Sequence, residues 1–246
     1  MRPIVIIPAR LAASRLPGKP LADIGGLPMV VRVLRQAERA GVGAVAVAAG
    51  DPAIVETVRA AGGRAVLTDP DLASGSDRVL AALGELDPDQ DCDIVVNLQG
   101  DMPFIAPATL TACLGVLAAE ADCDIATAIA PEASPADRAD PAVVKAVVSI
   151  SQGDPRGRAL YFTRSVLYGD APVWKHVGIY AYRRAALERF CTAPPSPLER
   201  REKLEQLRAL ELGLSIWAAV VDETPISVDT PADLEAARAF ARTHGL

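Results

Sequence analysis

The sequence predicts an α/β fold: a mostly parallel sheet flanked by helices, with a smaller, more antiparallel sheet inserted in the second half. Short β-branched runs alternate with helical patterns through the first half, and this alternation is typical of βαβ units. In the second half, strand-like runs follow one another through short links, which favours antiparallel pairing. Half of the 246 residues are hydrophobic, enough for a sizeable core.

Continuous apolar runs in the first half indicate strands that are buried on both faces. These predicted strands are Ile4–Ile7, Ala44–Ala49, Arg64–Leu67, Asp93–Leu98 and Ile125–Ile129. Apolar residues at helical spacing, with caps and stops around them, predict the helices between the strands. The helices are Pro28–Ala40, one that begins at Pro52 and is capped by Asp51, Ser76–Leu86 and Pro107–Ala121. The carboxyl ends of Ile4–Ile7 and Asp93–Leu98 are therefore the expected ligand edge of the sheet.

The second half has a different order of elements. Its predicted strands are Val143–Ile150, Ala159–Thr163, Val177–Tyr182, Ile216–Val221 and Ile226–Val228. Its predicted helices are Leu198–Leu212 and a last one that begins at Pro231. Because no repeat, low-complexity segment or long linker interrupts the chain, we expect one domain over residues 1–246.

Composition excludes several classes of function. The net charge is −6 and no block of Lys and Arg occurs, so neither nucleic acid nor a membrane surface is an expected partner. No apolar stretch approaches the ~18 residues of a transmembrane helix, and the opening apolar run is too short for a signal peptide. The four cysteines form no C-x-x-C pair, which argues against structural zinc and favours reduced thiols in the cytoplasm.

The first segment with chemical content is the loop after the strand Ile4–Ile7. It carries three cations, Arg10, Arg15 and Lys19, at the carboxyl end of a buried strand. Guanidinium and ammonium groups in that place form a cradle for a triphosphate. The loop is not a Walker motif, because Ala13 and Pro20 occupy two of its diagnostic positions. The alternative is a solvated basic loop.

Two aspartates follow predicted strands and are candidate magnesium ligands. Asp101 comes just after Asp93–Leu98, and Asp229 lies between a predicted strand and the helix that begins at Pro231. Hard carboxylate oxygens at such positions can hold Mg²⁺ against nucleotide phosphates. For each aspartate the alternative is an ordinary helix cap, and spacing alone does not bring the two together.

A third segment opens the helix Ser76–Leu86. It consists of Ser74, Gly75, Ser76, Asp77 and Arg78. The free N–H groups of a helix start, together with the serine hydroxyls, can meet a ribose or a base edge. The alternative is that the segment serves only as an N-cap.

Several strings of the chain, in this order, resemble the family of 3-deoxy-manno-octulosonate (KDO) cytidylyltransferases, also called CMP-KDO synthetases. They are IIPARLAASRLPGKPL, SGSDR, VVNLQGD-x-P, ALYFTR, HVGIYAYR, PSPLE, LEQLRAL and VDTP-x-DLE. Together they extend from Ile4 to about Glu235, nearly the whole chain. Met102 stands where the family has Glu, and the segment after Arg164 is short and lacks an Ile-Pro motif.

The resemblance implies a Rossmann-like nucleotidyltransferase fold, a homodimer and Mg²⁺ as cofactor. It implies that CTP and KDO react to CMP-KDO and pyrophosphate, which supplies an activated sugar for lipopolysaccharide. Residues 1–130 would mainly bind nucleotide, and residues 131–246 would mainly bind the sugar acid and form the dimer. A cytidylyltransferase for a sialic acid or an amino analogue of KDO, and a nucleotide-binding regulator without turnover, are the alternatives.

The resemblance also implies roles for particular residues. Arg10, Arg15 and Lys19 would hold the triphosphate, with Arg10 and Lys19 stabilising the transition state, and Asp101 and Asp229 would bind Mg²⁺. The nucleotide and sugar-acid pockets would be lined by Ser74, Gly75, Ser76, Arg78 and Gln99. The sugar acid would contact Gln99, Arg164, His176, Glu205 and Gln206.

Overall fold

The structure is a computed structural model that describes residues 1–12, 15–132, 135–167, 169, 173–222 and 224–246. It divides into two compact units. The first consists of Met1–Leu110 and Pro225–Leu246, and the second of Thr111–Thr224. The single domain expected from the sequence stays a prediction, and neither unit boundary lies near residue 130.

The elements confirm the α/β class. The strands are β1 (Pro3–Ala9), β2 (Asp23–Ile24), β3 (Leu27–Pro28), β4 (Ala44–Ala49), β5 (Ala65–Leu67), β6 (Ile94–Leu98), β7 (Ile125–Pro131), β8 (Lys145–Ser149), β9 (Arg156–Thr163), β10 (Trp174–Arg183) and β11 (Ile216–Val220). The helices are α1 (Met29–Arg39), α2 (Pro52–Ala60), α3 (Gly75–Leu86), α4 (Pro107–Ala119), α5 (Pro135–Ala139), α6 (Arg184–Thr192), α7 (Pro197–Glu202), α8 (Gln206–Glu211) and α9 (Pro231–Thr243).

In the first unit, four parallel strands lie in the order β5–β4–β1–β6. All five residues of β6 and six of the seven in β1 are buried, as continuous apolar runs predict for central parallel strands. Because the strands are parallel, their carboxyl ends share one edge, where the loops after Ala9 and Leu98 begin. A short hairpin, β2 with β3, follows a 3-10 turn at Lys19–Leu21.

A buried apolar cluster joins the start of the chain to its end within the first unit. Its members are Ile24, Met29, Val228, Leu234, Ala237 and Ala241, with Leu16, Ala22, Phe104 and Ile226 packed against it. The cluster therefore holds the residues on either side of Lys19 against the residue that precedes Asp229. Packing, rather than the local sequence, fixes these two segments relative to each other.

The second unit contains five strands in the order β10–β7–β11–β9–β8, in which β7 and β11 are parallel and the other neighbours antiparallel. The register of β10 against β7 shifts between Val177 and Tyr180, as at a β-bulge. In the part of the chain that the structure describes, no helix has the length and apolar character needed to cross a membrane.

Two predicted elements are wrong in detail. The predicted helix Leu198–Leu212 is two helices, because Lys203 takes the left-handed conformation at φ 56° and ψ 46° and ends α7. The predicted strand Ile226–Val228 has no strand pairing. The structure also adds α5, α6 and the hairpin β2–β3, which were not predicted.

The apolar cluster predicts a large cost for truncating one of its members. Ile24 is 0% exposed, so Ile24→Ala leaves a cavity and should lower the free energy of unfolding by about 2–4 kcal/mol. Leu27 of the same hairpin is 39% exposed, and Leu27→Ala should cost less than about 1 kcal/mol. Urea denaturation followed by circular dichroism measures both, and equal losses would contradict the packing role of the cluster.

Candidate active site

A cavity of about 290 Å³ lies at the carboxyl ends of β1 and β6, within the first unit. This is the edge at which parallel sheets bind ligands. Its lining is Pro8, Ala9, Arg10, Ala12, Arg15, Lys19, Pro20, Gly75, Gln99, Gly100, Asp101 and Asp229. The structure thus brings together the three cations of the loop, the two candidate metal ligands, Gly75 and Gln99.

Lys19 lies between the two aspartates. Its Nζ donates to Asp101 Oδ2 at 3.1 Å, to Asp229 Oδ1 at 3.0 Å and to the carbonyl oxygen of Val228 at 3.1 Å. An ammonium group has three donors, so these bonds use all of them. Only 17% of the Lys19 side chain and 22% of Asp101 are exposed. The pairs are therefore screened less than surface ion pairs.

The charges of Lys19, Asp101 and Asp229 shift the pKa values of Lys19 and Asp101. Burial alone would lower the pKa of Lys19, but the two carboxylates outweigh it and the pKa is raised. Burial raises the pKa of Asp101; Lys19 opposes this change and the neighbouring Asp229 adds to it. The ammonium is thus held in its charged form by carboxylates that repel each other.

The capping alternative for Asp229 does not hold, because its neighbours cap α9. Thr230 is the N-cap, and its side chain accepts the N–H of Asp233 at 3.2 Å while Asp233 reaches back to Thr230 N at 2.8 Å. This capping box leaves the Asp229 carboxylate to turn into the cavity. Asp229 also pairs with Arg15 at 3.1 Å, where the Arg15 side chain is 64% exposed.

Two backbone contacts place Asp101 beside the end of β1 and beside Asp229. The N–H of Val228 donates to the carbonyl oxygen of Asp101 at 2.9 Å. A Cβ atom on Gly100 would lie 2.8 Å from the carbonyl oxygen of Pro8, too close for any side chain. Glycine at position 100 is therefore needed for the close approach of these two strand ends.

The basic loop is anchored at both ends. Gly18, at φ 72° in the left-handed region, donates its N–H to the carbonyl oxygen of Leu11 at 3.0 Å and begins the turn that carries Lys19. The N–H of Leu11 donates to Asp51 Oδ2 at 2.8 Å. Asp51 is at the N-cap position of α2, as predicted, but its side chain makes no capping bond there.

The segment Ser74–Arg78 divides between the cavity and the scaffold. Ser74 caps α3, accepting the N–H of Asp77 at 3.1 Å, and Gly75 lines the cavity. Ser76 is buried and accepts from Asn97 at 3.3 Å. Arg78 is 2% exposed, and burial lowers its pKa.

The Arg78 guanidinium binds backbone and side-chain oxygens of the loop after β5. It donates to Thr68 Oγ1 at 2.6 Å, to the carbonyl oxygen of Asp69 at 2.9 Å and to that of Pro70 at 3.2 Å. Its side chain and those of Ser74 and Ser76 are not part of the cavity lining. Nucleotide contacts by these three residues stay predictions.

Two carboxylates that converge on one nitrogen are the set that could hold a metal ion. Among the residues that the structure describes, no group of three or more His, Cys, Asp or Glu side chains forms a metal site. Mg²⁺ commonly takes one or two protein carboxylates and fills its octahedron with phosphate oxygens and water. The oxygens of Asp101 and Asp229, facing a cavity lined by cations, fit that mode of binding.

A second polar cluster lies in the second unit around His176. The Oγ1 of Thr127 lies 2.9 Å from His176 Nε2 in a hydrogen bond whose direction depends on the tautomer of the imidazole, and 2.7 Å from the carbonyl oxygen of Ile179. Tyr180 lies 5.4 Å from His176, ring centroid to centroid. Burial raises the pKa of Tyr180, and the charge of Glu205 raises it further. The structure therefore brings His176, Tyr180 and Glu205 together.

Arg164 and Gln206 have structural contacts. Arg164 Nε donates to the carbonyl oxygen of Glu202 at 3.2 Å, and Nη1 donates to that of Pro141 at 2.9 Å. Gln206 begins α8 and is buried. Met102, which replaces the Glu of the family motif, is 3% exposed. The short segment after Arg164 lies in part outside the described residues.

Sequence reasoning missed two residues with a place near these sites, Asp51 and Tyr180. Asp51 stands before a proline, and this local pattern predicts only a helix cap. The pattern does not indicate the bond of Asp51 to the basic loop. Tyr180 lies in the predicted strand Val177–Tyr182, four residues after His176. Residues an even number of positions apart along a strand face the same side of the sheet, and this spacing could have indicated Tyr180.

Comparisons with known proteins show the family to which the chain belongs. Residues 4–216 match the cytidylyltransferase family profile. The chain is 59% identical over 238 residues to the 3-deoxy-manno-octulosonate cytidylyltransferase of Azorhizobium caulinodans, covering 96% of this chain and 94% of that protein. It is 57% identical over 239 residues to that of Rhodospirillum centenum, covering 97% and 93%. A solved structure of CMP:2-keto-3-deoxy-manno-octonic acid synthetase complexed with CTP is similar with a TM-score of 0.89 and 41% identity, covering 99% of this chain and 100% of that one.

The environment of His176 predicts a loss of stability in acid. Burial lowers its pKa from 6.5 to about 3, so between these values the unfolded chain binds a proton that the folded chain does not. Stability should fall as the pH drops through this window, by about 1–2 kcal/mol between pH 7 and pH 5. Both tryptophans, Trp174 and Trp217, lie in the second unit, so their fluorescence during urea denaturation reports its unfolding.

His176→Gln should remove this part of the pH dependence, whatever its effect on stability at pH 7. His244, the other histidine, is exposed, and His244→Gln should leave the difference between pH 7 and pH 5 as in the wild type. An unchanged pH dependence in His176→Gln would show that His176 is protonated in the folded protein.

Proposed function

The chain belongs to the 3-deoxy-manno-octulosonate cytidylyltransferase family, and from this premise we propose that it transfers CMP from CTP to KDO, giving CMP-KDO and pyrophosphate. The product is an activated sugar for lipopolysaccharide biosynthesis. The observation that carries the proposal is the Lys19 ammonium held between the Asp101 and Asp229 carboxylates, at the strand ends of a cavity lined by cations. Phosphoryl-transfer sites combine acidic metal ligands with cations in this way.

We propose that the basic loop binds the triphosphate. Arg10 is exposed and lines the cavity, and Arg15 is 64% exposed and pairs only with Asp229 among the residues that the structure describes. Exposed side chains with such weak pairs can turn to a ligand at little cost. Guanidinium groups fork onto phosphate oxygens, and Lys19 adds a compact charge from the floor of the cavity.

Magnesium is the metal that we propose for this site. When bound, Mg²⁺ neutralises phosphate charge and polarises the phosphoryl group that is transferred. Asp101 and Asp229 would supply two oxygens to it, and CTP and water the others. Lys19 offsets part of the negative charge of the same two carboxylates and bonds to both of them.

The proposed reaction is an in-line displacement at the α-phosphorus of CTP. The anomeric hydroxyl oxygen of the sugar acid forms the new bond to phosphorus and releases its proton to water, and the bond from the α-phosphorus to the bridging oxygen of pyrophosphate breaks. The contribution of the protein is positioning and electrostatic stabilisation. Arg10 and Lys19 would stabilise the negative charge that develops on the departing pyrophosphate.

For the sugar acid we propose contacts with the cluster of the second unit, and Gln99, which lines the cavity of the first unit, stays a predicted contact of its own. The imidazole of His176 bonds Thr127 through Nε2, which leaves Nδ1 as its possible contact, and Glu205 and Gln206 offer acceptor and amide groups at the start of α8. Tyr180 joins this set because of its contact with His176. Arg164 stays a proposed contact of the carboxylate through Nη2, since the bonds to the carbonyls of Glu202 and Pro141 use Nε and Nη1.

We further propose a homodimer in the cytoplasm, as the family resemblance implies.

Pyrophosphate release from CTP and Mg²⁺, measured with a panel of sugar acids, tests the proposed function. We expect turnover with KDO, and weaker or no turnover with a sialic acid. Preference for a sialic acid or an amino analogue of KDO would reassign the acceptor. Absence of release with every acid, although CTP binds, would support the regulator alternative.

The shared-metal proposal predicts that Asp101→Asn and Asp229→Asn each lower kcat by orders of magnitude. Loss of a ligand carboxylate removes several kcal/mol of charge stabilisation. The exposed Asp71 of the same unit gives a matched control, because Asp71→Asn removes an equal charge away from the cavity. Initial rates over a Mg²⁺ titration, with circular dichroism to check folding, make the measurement. Rates near those of the wild type in both variants at low Mg²⁺ would refute a shared metal.

A further inference from the structure

Asp51 has the conformation of a helix cap but does not cap its own helix. Its backbone is extended at φ −141° and ψ 138°, and Pro52 follows at the first helical position. An aspartate in this place usually accepts an N–H of its own helix. Here the side chain makes no such bond, and Oδ2 accepts the N–H of Leu11 at 2.8 Å instead. The carboxylate therefore serves another segment.

Leu11 lies in the basic loop, two residues after the end of β1 at Ala9. It follows Arg10, and its carbonyl oxygen accepts the N–H of Gly18 at 3.0 Å, which closes the loop just before Lys19. Both backbone groups of Leu11 are thus fixed, one by Asp51 and one by Gly18. The loop that presents Arg15 to the cavity lies between these two bonds.

The end of β4 is packed closely under the same loop. The N–H of Gly50 donates to the carbonyl oxygen of Ala9 at 2.8 Å. A Cβ atom on Gly50 would lie 2.8 Å from Arg78 Nη1 and 3.2 Å from the Cβ of Arg10. Asp51 therefore lies where two arginines approach each other, and its carboxylate favours the charged form of the buried Arg78.

We propose that Asp51 is a positioning residue for the nucleotide, which holds the Leu11 N–H and so fixes the loop on which Arg10 and Arg15 meet the triphosphate. The identity of the ligand rests on the proposed function. A ligand group that is held by a preorganised loop binds more tightly than one that must order the loop first. The effect should therefore fall on the β- and γ-phosphates and leave the sugar acid unaffected.

Calorimetric binding of CTP and CMP to a set of variants tests the role of Asp51. Asp51→Ala should weaken CTP binding about five- to tenfold, within the range expected for the loss of one ordinary hydrogen bond, with CMP binding unchanged. Asp51→Asn keeps a side-chain oxygen as acceptor and should restore most of the affinity for CTP. Asp51→Ser keeps a good helix start with a shorter side chain, so it replaces Asp51→Ala if that variant does not fold.

Asp87 provides the matched control. Its carboxylate also accepts backbone N–H groups, those of Asp91 at 2.9 Å and Cys92 at 3.0 Å, but at the far end of α3 from Gly75. Asp87→Ala should lower thermal stability and leave CTP binding unchanged. A role of Asp51 in stability alone would give the same result in both alanine variants, and the proposal would then be wrong.

Hydrogen exchange of the Leu11 amide, measured without nucleotide, gives a second reading. Exchange should be faster in Asp51→Ala and close to wild type in Asp51→Asn. If the wild type binds no CTP, the proposed function fails, while this rate still decides whether Asp51 holds the loop. Unchanged exchange, CTP binding by Asp51→Ala equal to wild type, or equal weakening of CTP and CMP would each overturn the proposal.

Discussion

The ammonium of Lys19, shared by Asp101 and Asp229, is the contact around which the first unit is arranged. Asp101 follows Lys19 by 82 positions in the chain, and Asp229 follows it by 210. Taking a charge out of water is costly unless it is paired, and Lys19 compensates both Asp101 and Asp229, the second of which also pairs with Arg15. The apolar cluster under Lys19, the capping box of α9 and the close approach at Gly100 all hold this pairing in place.

Polar residues at the helix starts of the first unit take two different roles. Ser74 and Thr230 cap their own helices, while Asp51 and Asp229 stand at or next to a helix start and turn their carboxylates elsewhere. The difference lies in the neighbours: Thr230 with Asp233 satisfies the start of α9, which releases Asp229. At α9 the carboxylate of Asp229 is thus available because another residue makes the cap, whereas at α2 the Asp51 side chain makes no capping bond and binds the basic loop instead.

Two cationic side chains of the second unit, Lys145 and Arg164, bind carbonyl oxygens of the backbone. Lys145 is 0% exposed and donates to the carbonyl oxygens of Asp140 and Arg164, while Arg164 donates to those of Pro141 and Glu202. Irregular backbone exposes carbonyl groups that no strand or helix satisfies, and long cationic side chains can reach them. Arg164, a predicted contact of the sugar acid, therefore also has a structural role.

The sequence by itself determined the α/β class, most strands and helices, and the loop of Arg10, Arg15 and Lys19, because burial and helical periodicity are local properties of the chain. It did not determine the break of a helix at Lys203, nor the lack of strand pairing at Ile226–Val228, because hydrophobic periodicity reports neither a left-handed residue nor whether an apolar run finds a strand to pair with. Only the tertiary structure decided that Asp229 meets Asp101 across Lys19, that Arg78 is buried in the scaffold and that Asp51 bonds the loop. Each of these side chains had a local role open to it, and packing between segments far apart in the chain selected another.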